Sequence, residues 1–510
     1  MKHRIFTFIS LLTLLVLGAG TPSFAQSDTG SITGQAGALV PGVGNPFDGL
    51  VQCGVNGAPA GCMTNHWFNP APRVGFAYDL FGDGKTSLRA AYGIFYEHTN
   101  GNEANTEGLE GSPPLIQSPT QYNIVGYNNI GGSAAGTPLL FPLQVTSIPT
   151  HAVWPYVQQW HLDIQHEFIK NTIATVSYVG TKGTHLTLLR DINQIHPLPA
   201  SENPFAPGTT FPAACSIPVT GPAAINQAVA CGADPDPYRP YVGFGSIEFL
   251  GLDANSSYNA LQASVRRTVG ALQINAAYTY SHAIDNSSDR YDGSLVNSYD
   301  LESGRASSDF DERHVFSLSY VYDLPFFKSA GLVHNFFGGW QYSGIVSFQT
   351  GTPFSVINTN FADNAGVGEN TSSFPGSYAD VVGNPYAPSS ACPSAVPDGL
   401  PYIYNPCAFQ QPTALTFGDS GRNFLRNPSR TNFDMALFKH IPVKDRAAFE
   451  FRAEAFNIFN QTEWEAPTGS GVGSTGAPSA LANFVGASGF LQPVSSFRGR
   501  TIQFGLKLLF

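Results

Sequence analysis

The chain is short of charged residues and, beyond its first 25 residues, of long apolar runs. Only 12% of its 510 residues are charged, whereas ordinary globular proteins carry about 25%. After residue 25, no stretch approaches the roughly 18 uncharged apolar residues that a transmembrane helix needs. The lack of long apolar runs excludes a helical membrane protein, and the low content of charged residues is unusual for a soluble protein.

Several chemical signatures are also missing. The net charge of -11 argues against a nucleic-acid partner, because phosphate binding needs a concentrated basic surface. No glycine-rich sequence lies between a strand and a helix, as phosphate-binding loops require. The sequence has no nucleophile elbow that could form a catalytic triad with a histidine and a carboxylate. The sequence therefore predicts neither an enzyme nor a bound cofactor.

Aromatic residues, in contrast, are abundant and follow a strand pattern. They make up 13% of the chain, with 38 Phe and 21 Tyr beside 53 Gly. In the final segment, apolar side chains recur at every second position: Ile502, Phe504, Leu506, Leu508 and Phe510. A period of two places them on one face of a strand, as in the lipid-facing wall of an outer-membrane barrel. The alternative is the last strand of a soluble sandwich.

The same alternation recurs along the chain and predicts eleven strands. They lie near residues 72–81, 85–97, 155–168, 172–181, 257–268, 271–283, 312–323, 338–350, 431–441, 446–459 and 499–510. Long connections run about 98–154, 182–256, 284–311, 351–430 and 460–498, and the others are short or medium. Outer-membrane barrels have short periplasmic turns and long outer loops. We therefore predict an all-β, antiparallel transmembrane β-barrel with 11–12 recognisable strands and long extracellular loops.

The N-terminus has the features of an export signal. A basic start at residues 1–4 precedes an apolar run from Ile5 to Gly18. Ser23, Phe24 and Ala25 then form a small-x-small cleavage site. We therefore expect residues 1–25 to be a signal peptide.

The expected organisation after the signal contains a conflict. Residues 71–510 are expected to form the barrel, and residues 26–70 a linker with the character of an extracellular loop. Export delivers residue 26 to the periplasm, yet the strand near residue 72 should begin outside. An unrecognised strand within 27–70, a segment threading the lumen or a missing segment would each resolve this conflict.

The six cysteines form three local pairs: Cys53 and Cys62, Cys215 and Cys231, and Cys392 and Cys407. In an exported chain, an even number of cysteines in local pairs predicts disulfides that cross-link loops. The alternative, a zinc site, is weaker because no pair has the two-to-four-residue spacing of zinc ligands. We therefore predict three loop disulfides.

Several segments resemble the barrels of Oar-like TonB-dependent receptors of the acidobacterial type. The resembling segments are Pro155–Trp160, Tyr178–Leu186, Ser257–Gln262, Tyr278–Asp285, Ser308–His314, Asn432–Lys439 and Phe451–Asn460. The alternating segment that ends at Phe510 also resembles the signal read by the bacterial barrel-assembly machinery. Near the start, Gly30–Gly34 and Gly37–Gly42 resemble the edges of the carboxypeptidase-regulatory-like domain that opens full-length members.

The resemblance implies a larger parent architecture. Family members carry a plug domain and a barrel of roughly 22 strands, and residues 45–510 resemble the later part of such a barrel. A regulatory-like sandwich needs about 80 residues to bury a core, far more than lie between the two N-terminal fragments. We therefore expect a truncated form that joins a signal peptide and a domain remnant to the C-terminal part of a barrel, without a plug.

Three polar groups are candidates for bound ions or catalysis. Asp285, Asp289 and Asp292 are oxygen ligands of the kind that calcium takes, but their spacing lacks the EF-hand frame, so they are weak calcium candidates. His161 and Asp163 would share one face of a strand, and the Asp309–His314 segment is rich in charge. Lumen lining and a charged turn are the expected roles of these two groups.

Two classes of function remain after these exclusions. The resemblance implies a receptor in the cell outer membrane that imports siderophores, glycans or other large solutes with energy passed through TonB. The alternative is a passive structural or adhesive barrel. Expected partners are outer-membrane lipid, the barrel-assembly machinery and, in full-length relatives, the TonB complex.

Overall fold

Antiparallel strands dominate the computed structural model of the chain. It describes residues 36–39, 50–52, 54, 59–60, 63–97, 118–119, 143–151, 153–241, 244–289, 295–327, 332–358, 363–368, 376–392, 401–444, 447–464, 485–486, 489–493 and 496–510. The cysteines at 53 and 62 and the aspartate at 292 lie outside these residues.

Twenty strands and two α-helices lie in the described residues. The strands up to the middle of the chain are β1 (Ala36–Leu39), β2 (Leu50–Gln52), β3 (Arg73–Asp79), β4 (Thr86–Tyr96), β5 (Ser118–Pro119), β6 (Leu143–Pro149), β7 (Tyr156–Ile169), β8 (Thr172–Asp191), β9 (Phe244–Arg267) and β10 (Leu272–Asp285). The later strands are β11 (Ala306–Ser307), β12 (His314–Asp323), β13 (Trp340–Gln349), β14 (Pro353–Phe354), β15 (Asp380–Val381), β16 (Phe409–Gln410), β17 (Leu425–Arg426), β18 (Arg430–Lys444), β19 (Ala447–Phe456) and β20 (Thr501–Leu509). The helices are α1 (Pro222–Ala230) and α2 (Leu332–Phe337).

Eleven of these strands form the main sheet, in the order β3-β4-β7-β8-β9-β10-β12-β13-β18-β19-β20. Each long strand pairs antiparallel with the long strand before it and the one after it. All eleven strands predicted from the alternation are therefore present, in sequence order. The all-β antiparallel fold expected from the sequence is confirmed.

Alternation gives the main sheet two chemically different faces. On one, which we call the apolar face, Phe76, Leu162 and Leu506 are 56%, 46% and 70% exposed, although large apolar side chains normally avoid water. The other, the polar face, is defined by a row of paired residues that crosses nine strands: Asp79, Ser87, Gln165, Thr175, Ser264, Ala277, Ser317, Ser347 and Asn432. The burial pattern is thus inverted relative to a soluble sheet.

The strands of the main sheet are joined by short connections at one end, the turn end, and by long ones at the other, the loop end. In the β3–β4 turn, Asp79 accepts hydrogen bonds from the N–H groups of Gly82 and Gly84, at 3.1 and 2.8 Å. Both glycines have φ near +70°, a conformation that glycine adopts without strain. The alternation of short and long connections predicted from the sequence is present throughout the main sheet.

One predicted connection is wrong in extent. The sequence assigned residues 182–256 to a long loop, whereas β8 continues to Asp191 and β9 begins at Phe244. The two strands stay paired across this extension, with register shifts near Leu186. Irregular pairing of this kind breaks the period of two, so the alternation alone could not reveal it.

The extension of β9 carries a small additional layer of strands at the loop end. β6 pairs with β9 in parallel, β1 pairs with β6 in parallel, and β2 pairs with β1. β1 and β2, which fall in the 26–70 segment, contain four and three residues and are not members of the main-sheet order. Within the described part of that segment, no further strand crosses the sheet.

Both edges of the main sheet are open in the described residues. β3 pairs only with β4, and β20 pairs only with β19. Helices contribute little to the fold: in the parts of the chain described above, none has the length and apolar character needed to cross a membrane.

The two faces predict opposite effects of a new charge. The sequence expectation is that the apolar face contacts lipid, where an arginine near the midplane destabilises a barrel by about 2–4 kcal/mol. We expect Leu162→Arg to lower the yield of the compact form that migrates anomalously on gels before heating. His161→Arg, the matched control on the neighbouring polar position, should leave that yield nearly unchanged. Equal yields from both variants would contradict the assignment of the faces.

Candidate functional site

A concavity of about 450 Å³ lies between β10 and β19. Its polar lining includes Asn275, Asp434 and Glu454. Asp434 Oδ1 accepts a hydrogen bond from the Asn457 N–H at 2.9 Å, and Glu454 Oε2 accepts one from Gln503 Nε2 at 2.5 Å. These contacts fix the carboxylates on the wall.

The same concavity also contains apolar side chains that face the polar side of the sheet. Ile345 pairs with Asp434 across β13 and β18 and is 54% exposed. Phe456, in the next strand, is 42% exposed. A wall that combines fixed carboxylates and amides with an exposed aromatic ring can hold a solute by hydrogen bonds and ring contact. It contains no nucleophile and base arranged for catalysis.

The long connections pack into a folded loop layer, formed by residues 192–243, 286–313, 350–429 and 485–493 where described. Its largest apolar core consists of Phe354, Val356, Ala379, Ala408, Phe409, Leu425, Val485, Phe490 and Leu491. A second core lies around Phe205 and Leu415 and joins the 192–243 connection to the 350–429 connection. The loop layer therefore has its own hydrophobic core, unlike independently moving loops.

Arg422 is a buried hub of this loop layer. Its side chain is 1% exposed and contacts Asp285 at 2.6 Å and Asp309 at 3.1 Å. It also donates to Ser288 Oγ at 2.6 Å and to the Gly304 carbonyl at 3.3 Å. Because a buried guanidinium must be paired, these contacts hold the end of β10, the 286–313 connection and the 350–429 connection together.

A second hub lies beside it and is centred on Asp311, whose side chain is 1% exposed. Asp311 forms an ion pair with Arg426, accepts from Arg313 Nε at 2.8 Å and accepts from the Ala283 N–H at 2.7 Å. Burial by itself would raise the pKa of Asp311, but these three donors outweigh burial and hold the pKa below its ordinary value. The carboxylate is therefore ionised in the folded protein at neutral pH.

A third hub, Arg239, fastens the 192–243 connection. It contacts Asp236 at 2.8 Å and Asp191 at 3.3 Å. The side chains of Arg239, Asp236 and Asp191 are 4%, 8% and 0% exposed, respectively. Arg239 also donates to the Gly368 carbonyl at 2.8 Å. Asp363 accepts from the N–H of that same glycine, and burial raises the pKa of Asp363 to about 6.

Two of the three predicted disulfides are present in the loop layer. Cys215 is bonded to Cys231, with a Cα–Cα distance of 5.9 Å. Cys392 is bonded to Cys407, with a Cα–Cα distance of 5.4 Å. The pair Cys53 and Cys62 lies outside the described residues, so its disulfide stays a prediction.

The calcium candidates are not brought together as a set in the described residues. Asp285 is occupied by Arg422 and accepts from Ser288 Oγ at 2.9 Å. The backbone carbonyl of Asp289 accepts from Ser287 Oγ at 2.5 Å, and Asp292 lies outside the described residues. Nowhere in the described ranges do three or more His, Cys, Asp or Glu side chains stand together as a metal site requires.

The other sequence-predicted residues lie on the main sheet or beside it. His161 and Asp163 are neighbours on the polar face, 3.5 Å apart. The five predicted assembly-signal residues lie at or just beyond the edge strand β20 and are 54%, 73%, 70%, 49% and 100% exposed, for Ile502, Phe504, Leu506, Leu508 and Phe510 respectively. Asp309 and Asp311 lie in the charged turn before β12, where Asp311 pairs with Arg313. Asp309 is also a partner of Arg422, and Asp311 is the centre of the second hub.

The sequence reading missed Arg239, Arg422 and Arg426. One feature of the sequence could have drawn attention to them. Basic residues number only 25 in the chain, yet Arg422 and Arg426 stand four residues apart in one long connection. The acidic partners of Arg422 and Arg426 lie about 110 to 140 residues away along the chain, and Asp191, a partner of Arg239, lies 48 residues away. No local pattern links residues over such distances.

A family model described as "Outer membrane beta barrel domain" matches residues 23–503. Similar solved structures include the outer membrane transporter YddB from Escherichia coli, at 11% identity and TM-score 0.37, covering 86% of this chain and 40% of that one. The siderophore receptor PirA from Acinetobacter baumannii has 9% identity and TM-score 0.38, with 86% and 40% covered. No curated protein matches the chain.

The ferripyoverdine receptor of Pseudomonas aeruginosa is similar at 10% identity and TM-score 0.35, with 86% of this chain and 32% of that one covered. This chain thus spans between 32% and 40% of the length of these three structures.

Removing the Arg422 hub should loosen the loop layer without unfolding the main sheet. Truncating one partner of a buried ion pair typically destabilises a protein by about 3–5 kcal/mol. We expect Arg422→Ala to become sensitive to chymotrypsin, whose Tyr and Phe sites neither variant alters, within 286–313 and 350–429, measured by mass spectrometry of the fragments. Arg305→Ala, an exposed arginine of the same layer, is the control and should cleave like the parent. Resistance of both variants would contradict the role of the hub.

The Asp311 hub predicts a loss of stability in acid. Its folded-state pKa lies below its ordinary value of 3.8, so its contribution is complete above that pH and is lost as the pH falls towards the folded-state pKa. We expect the loop-layer near-ultraviolet circular dichroism to weaken below about pH 4.

The Asp311→Asn variant should be less stable than the parent protein at neutral pH. Its stability should also depend less on pH across this range, because position 311 then has no carboxylate to titrate. The comparison uses thermal melts of both proteins at pH 6 and about pH 3. Parallel pH dependence in the two proteins would exclude Asp311 as the source.

Proposed function

The chain belongs to the outer membrane beta barrel domain family, and from that membership we propose that it acts as a receptor of the TonB-dependent type that takes up large solutes. Family membership places it in the outer membrane and makes it a membrane barrel rather than an enzyme. The motifs that resemble Oar-like receptors support the receptor type. Siderophores and glycans are the proposed classes of solute.

The observation that carries this proposal is the folded loop layer. A receptor must present a binding surface with fixed geometry, because ordering flexible loops on binding reduces affinity. Here Arg422 and Asp311 join connections that are distant in sequence, and two disulfides brace the same layer.

The polar wall supports a solute path below the loop layer. Asn275, Asp434 and Glu454 offer hydrogen-bonding groups, and Phe456 offers a ring. Sugars and metal chelates both present many oxygen atoms, and such a wall can bind them by successive weak contacts. The long connections would supply selectivity at the outer end.

Three partners belong to this proposal. Outer-membrane lipid would cover the apolar face, and the TonB complex, a partner of full-length relatives, would supply the energy for uptake in them. The barrel-assembly machinery would read the alternating strand from Ile502 to Phe510. The exposure of this strand at a sheet edge supports that role, since an edge strand is free to pair with another protein during assembly.

Energised uptake is the test of the receptor proposal. The chain would be expressed in a host that lacks its own siderophore receptors, and the probes would be radioactive iron bound to enterobactin or ferrichrome, and fluorescent maltoheptaose. We expect at least one probe to accumulate above the empty-vector level and to fall to that level when a protonophore collapses the proton gradient.

Arg422→Ala should reduce this uptake several-fold, while Arg305→Ala, expressed to the same level, should not. If all three probes still accumulate when the protonophore is present, energised import would be contradicted and the passive barrel would be supported.

A further inference from the structure

The connection between β12 and β13 differs from the other turns at the turn end of the main sheet. This segment, which we call the α2 connection, runs from residue 324 to residue 339, is described at 324–327 and 332–339, and contains α2. The turns after β3 and β7 have charged tips, at Asp83 and Lys170. Among the described residues of the α2 connection there is no Asp, Glu, Lys or Arg. Its composition is unusual for a turn that only meets water.

Five large apolar side chains of the α2 connection are exposed. The exposed fractions are 58% for Phe326, 55% for Phe327, 56% for Val333, 69% for Phe336 and 64% for Phe337. The last three follow the i, i+3, i+4 spacing of one helix face, and the rings of Phe327 and Phe337 lie 5.9 Å apart. Single exposed apolar residues are ordinary, whereas a contiguous patch marks an interaction surface.

Hydrogen bonds hold the α2 connection in a defined shape. His334 Nδ1 donates to the Phe327 carbonyl at 2.6 Å, and the Gly338 N–H donates to the His334 carbonyl at 2.8 Å. The Leu324 N–H donates to the Trp340 carbonyl at 2.9 Å and joins the two ends of the connection. The apolar patch is therefore presented by a folded segment with its polar groups turned inward.

Lys439 fixes the side of the sheet on which this segment lies. It pairs with Trp340 in β13 and with Phe451 in β19, and Phe451 pairs with Leu506 of the apolar face. All four residues therefore belong to that face. Lys439 Nζ donates to the Gly338 carbonyl at 2.5 Å and lies 5.1 Å from the centre of the Trp340 ring. The end of α2 is thus held on the side of the apolar face.

We propose that the α2 connection is a membrane-interface anchor that inserts its apolar side chains into the phospholipid leaflet on the periplasmic side. The turn end of an outer-membrane barrel lies at the periplasm. Trp340 directly follows the connection, so the patch continues the lipid-facing surface. Interfacial helices lie in the membrane plane with their apolar side chains about 5–10 Å deep. The inference rests on lipid contact of the apolar face and not on the receptor proposal.

The chemistry of the patch favours lipid over a second protein. A protein partner normally adds a polar rim with direct hydrogen bonds to the apolar centre of an interface. Here the polar groups that flank the patch, the His334 ring and the Gly338 carbonyl, already have partners within the chain. Acyl chains and the headgroup boundary need only apolar area. The continuity with the apolar face at Trp340 points to the same occupant.

Photo-cross-linking identifies what covers the patch in the cell. Phe336→p-benzoylphenylalanine would be illuminated in intact cells, and the purified chain would be analysed by mass spectrometry. The matched control places the same analogue at Phe310, which is exposed to a similar extent, 65%, but lies in the loop layer. We expect at least five-fold more phospholipid adduct at position 336 than at position 310, because only the former lies in the periplasmic leaflet.

Other products of the same experiment would overturn the proposal. An adduct with a periplasmic protein, or a product of twice the monomer mass, would show that protein covers the patch. Equal phospholipid adduct at positions 336 and 310 would remove the specificity. Absence of an adduct in a variant that keeps the compact, heat-sensitive gel mobility would show that water covers the patch. Phe337→p-benzoylphenylalanine repeats the test if the first variant does not assemble.

The depth of the patch can be measured in the protein reconstituted into vesicles of phosphatidylethanolamine and phosphatidylglycerol. A nitroxide at Phe337→Cys would be compared with one at Asp83→Cys, the charged tip of the β3–β4 turn at the same end of the sheet. The parent chain, treated with the same label, reports the background from its own cysteines. We expect the ratio of oxygen collisions to nickel collisions to be at least three-fold higher at position 337. Equal ratios at the two positions would place the patch in water and overturn the proposal.

Discussion

The structure depends on one constraint, the need to pair every backbone N–H and C=O group that lies in hydrocarbon. Consecutive antiparallel strands meet that need along the main sheet, where each strand pairs with its neighbours. The strands in turn impose the period of two that separates Leu162 from His161 and Leu506 from Lys507. The same constraint requires partners for the edges β3 and β20, each of which pairs with one neighbour among the described strands.

In the loop layer, the placement of charged side chains is set by ion pairing rather than by the period of two. The chain has few charged side chains, yet Arg239, Arg422 and Arg426 are paired with aspartates that are buried or nearly so. A buried ion pair is weak evidence for net stability, because desolvation offsets much of the attraction. It does, however, select one arrangement of loops, since breaking any pair leaves an unpaired buried charge. A fixed loop arrangement is what a solute receptor requires and what connects these pairs to the proposed uptake.

Most of the main sheet could be predicted from the sequence, and most of the loop layer could not. The eleven strands are visible because each membrane-facing residue obeys a local period, and the cysteine pairs at 215/231 and 392/407 are visible because they are close in sequence. The extension of β8 to Asp191 has an irregular register, so periodicity fails there. Asp309 and Asp311 were recognised as a charged turn, but Arg422 and Arg426, which also pair with them, lie more than a hundred residues away. Such pairs are selected by three-dimensional packing, which leaves no local signature.

The central claim is that the sheet crosses the outer membrane with one face in lipid and the other in water. A nitroxide scan through residues 156–169 of β7, in the protein reconstituted into bilayers, tests it most directly by comparing collisions with oxygen and with a water-soluble nickel complex. The account predicts a period of two, with oxygen favoured at even positions such as Leu162 and Ile164 and nickel favoured at odd positions such as His161 and Asp163. Uniform access of nickel to both sets of positions would contradict it.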